Sequence, residues 1–369
     1  MDVIELSQKL IQFDTRVPKG NEGQAALFLG GILEANGFEV DYPEFAKGRL
    51  NLVASKGLGD VPPLVFTGHF DVVPLGDAKW SVNPFGGSIH NGKLYGRGAS
   101  DMKAAVAAMV CAATSCAEDM LPKGGIKLLI TANEELGCLG AKALRDSGYH
   151  IGGASALVVG EPTSNQPLLG HKGGLYLKAT THGKTAHSST PHLGDNAIYK
   201  AAKAVLKLDG LEFAVAEDGL LGHPTINVGK FQGGQNLNSV PDYAQFTIDV
   251  RTTPKLPNHK ALTYLQSVLG KEVELEKLVD LDPVTSNAQD PFIKRVVRLC
   301  NGAHKGEAAA PYLTDASVIT PWLGNVPTVI LGPGEAQMAH KTDEYCAIDK
   351  ILESVALYKA IIKAHNIQE

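Results

Sequence analysis

Two histidines and five carboxylates stand where chemistry could be done. His69 and Asp71 follow the apolar run PLVFT at 63–67, Glu134 and Glu135 follow IKLLITA at 126–132, and Glu161 follows ALVV at 156–159. His340 stands nine residues beyond PTVIL at 327–331, and Asp101 closes the glycine-punctuated loop YGRGASD. In open α/β sheets ligands bind beyond the carboxyl ends of strands, so polar residues that follow buried apolar runs carry weight. Imidazoles and carboxylates without a cysteine among them suit a borderline divalent metal such as zinc in a hydrolytic site. They are too many for one tetrahedral ion with an open position, and fit two ions about 3.5–4 Å apart that share a bridging carboxylate. Singly, each has a plain structural reading: a Glu-Glu pair as a solvated loop end, His-x-Asp as a surface polar pair, GEP as a turn. Their joint order along the chain argues for a site.

The elements that must hold these residues have the form of a parallel sheet covered by helices. The four apolar runs read as buried strands, and MKAAVAAMVCAATSCA at 102–117 reads as a helix. From about residue 173 the rhythm changes to a strand at 175–181, a helix at 196–208, strands at 225–231 and 244–251, a helix at 259–269 and a strand at 272–278. That order, βαββαβ, is the ferredoxin-like split unit. A helix near 291–300, the strand at 327–331 and a helix near 348–365 then resume the first rhythm. The expected architecture is therefore α/β, with a discontinuous domain of residues 1–172 and 284–369 and an inserted domain at 173–283.

Composition excludes several classes. Of 369 residues 44% are hydrophobic, enough for a core, and a net charge of -5 without a basic patch argues against nucleic acid. The opening MDVIELSQKLIQF reads as an acidic amphipathic helix rather than a signal peptide, and no apolar run approaches the ~20 residues of a membrane span. Cys111, Cys116, Cys138, Cys300 and Cys346 are odd in number, scattered and free of any C-x-x-C pair, as expected of reduced, non-catalytic thiols in a cytoplasmic protein. YGRGAS is no phosphate cradle, because no P-loop Lys-Ser/Thr follows. No role is read for His90, His150, His182, His223, His259, His304 or His365.

The segments GHFDVVP, GRGASDMK, TANEELG, VGEPTS and GPGEAQMAH resemble the metal-binding motifs of the M20 metallopeptidase family, the group of acetylornithine deacetylase, succinyl-diaminopimelate desuccinylase, aminoacylase and related carboxypeptidases. The resemblance covers nearly the whole chain and implies a zinc-exopeptidase-like mixed sheet flanked by helices, with the insert as a lid and dimerisation domain. It implies two Zn²⁺ per subunit, with Co²⁺ able to substitute, His69 and Glu161 on one ion, Glu135 and His340 on the other, and Asp101 bridging across a cis bond to Met102. Asp71 would accept the other ring N–H of His69 and fix its tautomer. Glu134 would then be the general base and acid, since its neighbour is committed to metal. His187, in GKTAHSSTPH, would reach the partner subunit's site in a homodimer and donate to the oxyanion.

GEPTSNQPLLGHKGG, LTDAS and GPGEAQMAHKTDEY are more similar to the acetylornithine deacetylase branch, which acts in arginine biosynthesis, than to the desuccinylases. Lys172, Asn238 and Arg251 match positions that grip a substrate carboxylate, although Arg251 also reads as a salt-bridged strand end. The expected activity is removal of an N-acyl group from an amino acid, with a desuccinylase, another N-acyl amino acid hydrolase or a dipeptidase as the alternative. A metal-free binding module on the same fold is the alternative of a different class, and the full set of ligand side chains argues against it.

Overall fold

The computed structural model describes residues 2–116, 120–300 and 309–365, and the chain divides into two compact units. His304 and Ala117, the last residue of the expected helix at 102–117, lie outside the described residues. The first unit opens with helices α1 (Val3–Gln12) and α2 (Glu22–Glu34) and strands β1 (Glu39–Asp41), β2 (Leu52–Lys56) and β3 (Leu64–His69). Helix α3 (Ala104–Thr114), strand β4 (Ile126–Thr131), helix α4 (Leu139–Asp146) and strand β5 (Ala156–Val159) follow. The second unit holds β6 (Gly173–His182), α5 (Ala197–Leu208), β7 (Thr225–Gly233), β8 (Tyr243–Thr252), α6 (Asn258–Leu269) and β9 (Val273–Leu281). The chain then returns to the first unit with α7 (Pro291–Leu299), α8 (Ala316–Trp322), β10 (Thr328–Ile330) and α9 (Ile348–Ala364).

The six-stranded sheet has the order β1-β2-β4-β3-β5-β10. Strands β4, β3, β5 and β10 run parallel, while β2 is antiparallel to β4 and β1 to β2, so the sheet is mixed. Every residue of β3, β4, β5 and β10 is buried, which is why they read as unbroken apolar runs rather than as alternating ones. Helix α3 is buried from Ala104 to Ala113 and packs between α1, α9 and the sheet; its alanines let neighbouring backbones approach on all sides. The helix starts later than expected. Asp101 and Met102 have non-helical dihedrals and the bond between them is cis; regular helix begins at Ala104.

In the second unit four antiparallel strands in the order β7-β8-β6-β9 meet two helices. Ala244, Phe246, Ile248 and Val250 point to one face of β8, opposite Thr181, Ala179, Leu177 and Leu175 of β6. Ala197, Ala201, Ala204 and Leu208 of α5 and Ala261, Leu265 and Leu269 of α6 cover that face at helical spacing. The unit spans His171–Val284, slightly more than the expected 173–283, and includes Ala309–Leu313, where the carbonyl of Ala310 accepts the Lys172 N–H at 3.1 Å.

Candidate metal centre

The parallel register places the carboxyl ends of four strands at one edge. His69 is the last residue of β3, level with Thr131, the last of β4. Glu134 and Glu135 lie in the turn after β4, Glu161 lies two residues beyond β5, and His340 ends the loop that follows β10. Asp101 enters from the stretch before α3. These five ligand candidates form two triads that share one member: His69, Asp101 and Glu161, and Asp101, Glu135 and His340, with donor atoms in each within 4.8 Å of one another. His69 Nε2 lies 3.2 Å from Asp101 Oδ1 and 3.7 Å from Glu161 Oε1. His340 Nε2 lies 3.5 Å from Asp101 Oδ2 and 3.0 Å from Glu135 Oε2. Donors bonded at about 2.0–2.1 Å to one tetrahedral ion stand about 3.3 Å apart, and the four histidine–carboxylate distances, from 3.0 to 3.7 Å, bracket that value. Asp101 offers a different oxygen to each, as a bridging carboxylate must.

Asp71 is arranged otherwise than expected. The His69 Nδ1–H donates to the main-chain carbonyl of Asp71 at 2.9 Å, while the Asp71 carboxylate stands 3.6 Å away. The carbonyl thus fixes the tautomer and leaves Nε2 to the triad. Its carboxylate instead accepts the backbone N–H groups of Glu134 at 2.9 Å and Glu135 at 3.0 Å, holding the turn that carries both glutamates. From the other side, Arg49, paired with the buried Glu22, donates to Asn133 Oδ1 at 3.1 Å. Asn133 has φ 60°, a left-handed conformation that asparagine tolerates better than most residues.

The sequence that carries this constellation matches a known family. The model of peptidase family M20/M25/M40 matches residues 65–364. The chain belongs to this family. A probable succinyl-diaminopimelate desuccinylase of Staphylococcus epidermidis is 33% identical over 99% of this chain and 98% of the relative. An acetylornithine deacetylase of Vibrio cholerae is 32% identical over 92% of this chain and 90% of the relative. Among solved structures, a tripeptidase from Staphylococcus aureus superposes with a TM-score of 0.77 at 27% identity, covering 99% of this chain and 98% of that one. This M20 chain is a hydrolase with the mixed α/β fold of its family.

The M20 site is crowded with acid. Burial raises the pKa of Glu134 and Glu161 well above the usual carboxylate range, and that of Glu135 less, with neighbouring carboxylates adding to each shift. Burial also opposes ionisation of Asp101, but hydrogen bonds from His340 and His69 outweigh it and hold Asp101 low. Hydrogen bonds to Asp101 and Glu135 push His340 up to about 10. Buried carboxylates at this density need cationic compensation, which divalent ions held by the two triads would supply.

Two neighbours of Glu134 escaped the sequence reading. The Cys138 thiol donates to Glu134 Oε1 at 3.7 Å, and the Asp315 carboxylate lies in the same buried group. Asp315, pushed up to about 6 by burial, accepts a hydrogen bond from the Thr131 hydroxyl. Only the similarity of LTDAS to a family branch pointed at Asp315, and nothing pointed at Cys138.

The remaining candidates lie in the second unit. His187 is exposed, and its Nδ1 accepts the Ser189 N–H at 3.1 Å, so a neutral ring carries its proton on Nε2. The exposed Asn238 is its neighbour, its carbonyl accepting the Ser188 N–H at 3.0 Å. The Lys172 ammonium donates to the His223 carbonyl at 2.6 Å. Arg251 grips Asp249, Nε to Oδ1 at 2.9 Å and Nη2 to Oδ2 at 3.1 Å, and lies over the Tyr176 ring. That is the salt-bridged strand end; the expected carboxylate grip would have to displace Asp249.

Proposed function

We propose that this M20 protein is a dinuclear zinc amidohydrolase that removes the acyl group from an N-acyl amino acid, with N-acetylornithine as the first candidate substrate. One observation carries the reading: two metal triads share Asp101, and a buried carboxylate, Glu134, stands beside them while belonging to neither. Divalent cations in the triads supply Lewis acidity, acidifying water and polarising an amide carbonyl. Glu134 takes the proton of the attacking water. As the amide C–N bond breaks, Glu134 returns that proton to the leaving nitrogen, so that a carboxylic acid and a free amine result. The Asp71 carboxylate keeps Glu134 and Glu135 on their separate tasks by fixing the backbone between them. Imidazole and carboxylate donors without thiolate suit zinc, and cobalt accepts the same set.

The names of the deacetylase and desuccinylase relatives support the substrate class, and the desuccinylase name keeps N-succinyl-diaminopimelate as a specific second reading. The second unit serves in this reading as a homodimer interface, with His187 offering its Nε2–H to the oxyanion in the partner subunit's site. All five cysteines are buried and none forms a disulfide, which fits a reducing compartment such as the cytoplasm. No helix among the described residues is long and apolar enough to cross a membrane. The test is amine release from a panel of N-acetyl and N-succinyl amino acids beside dipeptides and tripeptides, with zinc measured on the same protein. N-acetylornithine should give the highest kcat/KM. A higher value for a succinyl substrate or a peptide would transfer the assignment, and protein unable to take up zinc would end it.

A further inference from the structure

Two of the ligands sit on irregular backbone. Asp101 serves both triads from a stretch without regular helical dihedrals. His340 has φ 64°, a left-handed conformation that costs a non-glycine residue on the order of 1 kcal/mol or more, and its side chain is 55% exposed. Something other than core contact must impose its backbone.

A buried ion pair reaches both. Arg97 and Glu344 are each 1% exposed, and Arg97 Nη1 donates to Glu344 Oε2 at 2.7 Å. Strand pairing brings them together: the strand Tyr345–Ala347 runs antiparallel to Lys93–Tyr95, and the Gly96 N–H donates to the Glu344 carbonyl at 2.9 Å. The carboxylate then gathers the Asp101 loop. Oε2 also accepts the Gly98 N–H at 3.0 Å, and Oε1 accepts the N–H groups of Ser100 at 2.8 Å and Asp101 at 3.0 Å. The guanidinium reaches the other way, donating to the carbonyls of Lys341 at 3.1 Å, His340 at 3.4 Å and Pro74 at 3.1 Å. One pair therefore grips the main chain of the shared ligand on one side and that of His340 on the other.

A buried ion pair adds little stability beyond what apolar packing would give, because desolvation offsets its attraction. A hydrogen-bonded polar network does fix geometry. We propose that Arg97 and Glu344 are positioning residues of the metal centre, a clamp that sets His340 in register with Asp101. The inference rests on the dinuclear reading above. It is asymmetric: the position built by Asp101, Glu135 and His340 depends on the clamp more than that of His69, Asp101 and Glu161, since His69 is fixed by β3 and the Asp71 carbonyl.

The test is Zn²⁺ titration of the metal-stripped full chain against a chromophoric chelator, with Co²⁺ absorption spectra and thermal unfolding of the apo-protein in parallel. Arg97→Lys keeps the charge but cannot span three carbonyls and a carboxylate. Glu344→Gln loses one acceptor oxygen and turns an N–H donor toward the backbone N–H groups. Each should weaken one of the two zinc equivalents by about 10- to 100-fold, the usual effect of removing support behind a metal ligand. The weakened equivalent should be the one that His340→Ala loses, with a changed cobalt spectrum, while the other stays within a few-fold. If Glu344→Gln does not fold, Arg97→Lys decides alone. A parent protein that binds fewer than two ions overturns the dinuclear reading and the clamp with it. Two ions in the parent, with parental affinities and spectra in the folded variants, overturn the clamp alone. So does an equal loss at both positions that merely follows the fall in unfolding temperature.

Discussion

Adjacent residues of identical type meet different neighbours at this site because the backbone turns between them. Glu135 belongs to one of the two triads that share Asp101, whereas Glu134 groups with Cys138 and Asp315, and Asp71 fixes the turn by accepting both of their N–H groups. Glu134→Gln should therefore bind as much zinc as the parent while kcat falls by at least ~10²-fold, the low end for losing a general base. Zinc content and turnover measured on one preparation decide it: metal lost in step with activity would make Glu134 a ligand, and activity retained would move the base elsewhere. The glutamates were legible as a pair in TANEELG. Their proposed division of labour comes from the family resemblance, and the turn held by Asp71 supports it.

At the level of elements, the loop from Gly332 to His340 must pass close to the one that carries Asp101. A Cβ on Gly334 would stand 2.1 Å from the Ser100 carbonyl oxygen, and one on Gly332 would stand 2.1 Å from that of Gly160. Backbone cannot yield as a flexible side chain does. Gly334→Ala should then destabilise the protein by about 1–3 kcal/mol, as overpacking does, and reduce zinc occupancy because Ser100 precedes the shared ligand. Urea unfolding and metal analysis check it; a variant as stable and as zinc-rich as the parent would show that the loops separate freely. The buried strands were readable because continuous apolar runs bounded by turns have few other uses. Helix α8 was not read, since Pro321 lies inside its seven residues, nor was β1 with only three. The expected helix at 102–117 failed at its first turn, where the backbone at Met102, as at Asp101 before it, departs from helical dihedrals.

For the whole molecule, the proposed homodimer has a consequence that a monomeric site would not. If the His187 Nε2–H serves the partner subunit's metal centre, His187→Ala should be folded, zinc-loaded and dimeric yet slower by about 10²–10³-fold, the usual effect of losing one oxyanion donor. Mixing it with Glu134→Gln under exchange conditions should restore activity, because each heterodimer has one site with both groups intact. Heterodimers that form, by mass, without recovering activity would remove His187 from the reaction in trans.

The sequence by itself determined the inventory and its order: two imidazoles, the carboxylates after buried runs, and a βαββαβ insert between two halves of an α/β unit. These are local properties, set by side-chain type and by periodicity over a few residues. What only the tertiary structure decided was which atom meets which. The His69 proton goes to a carbonyl rather than to the Asp71 carboxylate, Arg251 is taken by Asp249, and Thr131 meets Asp315 across 184 positions. Arg97 finds Glu344 across 247 positions. Such pairings follow from strand register and loop packing, where a displacement of one residue or about an ångström redirects every hydrogen bond, and no short-range pattern in the sequence carries that information.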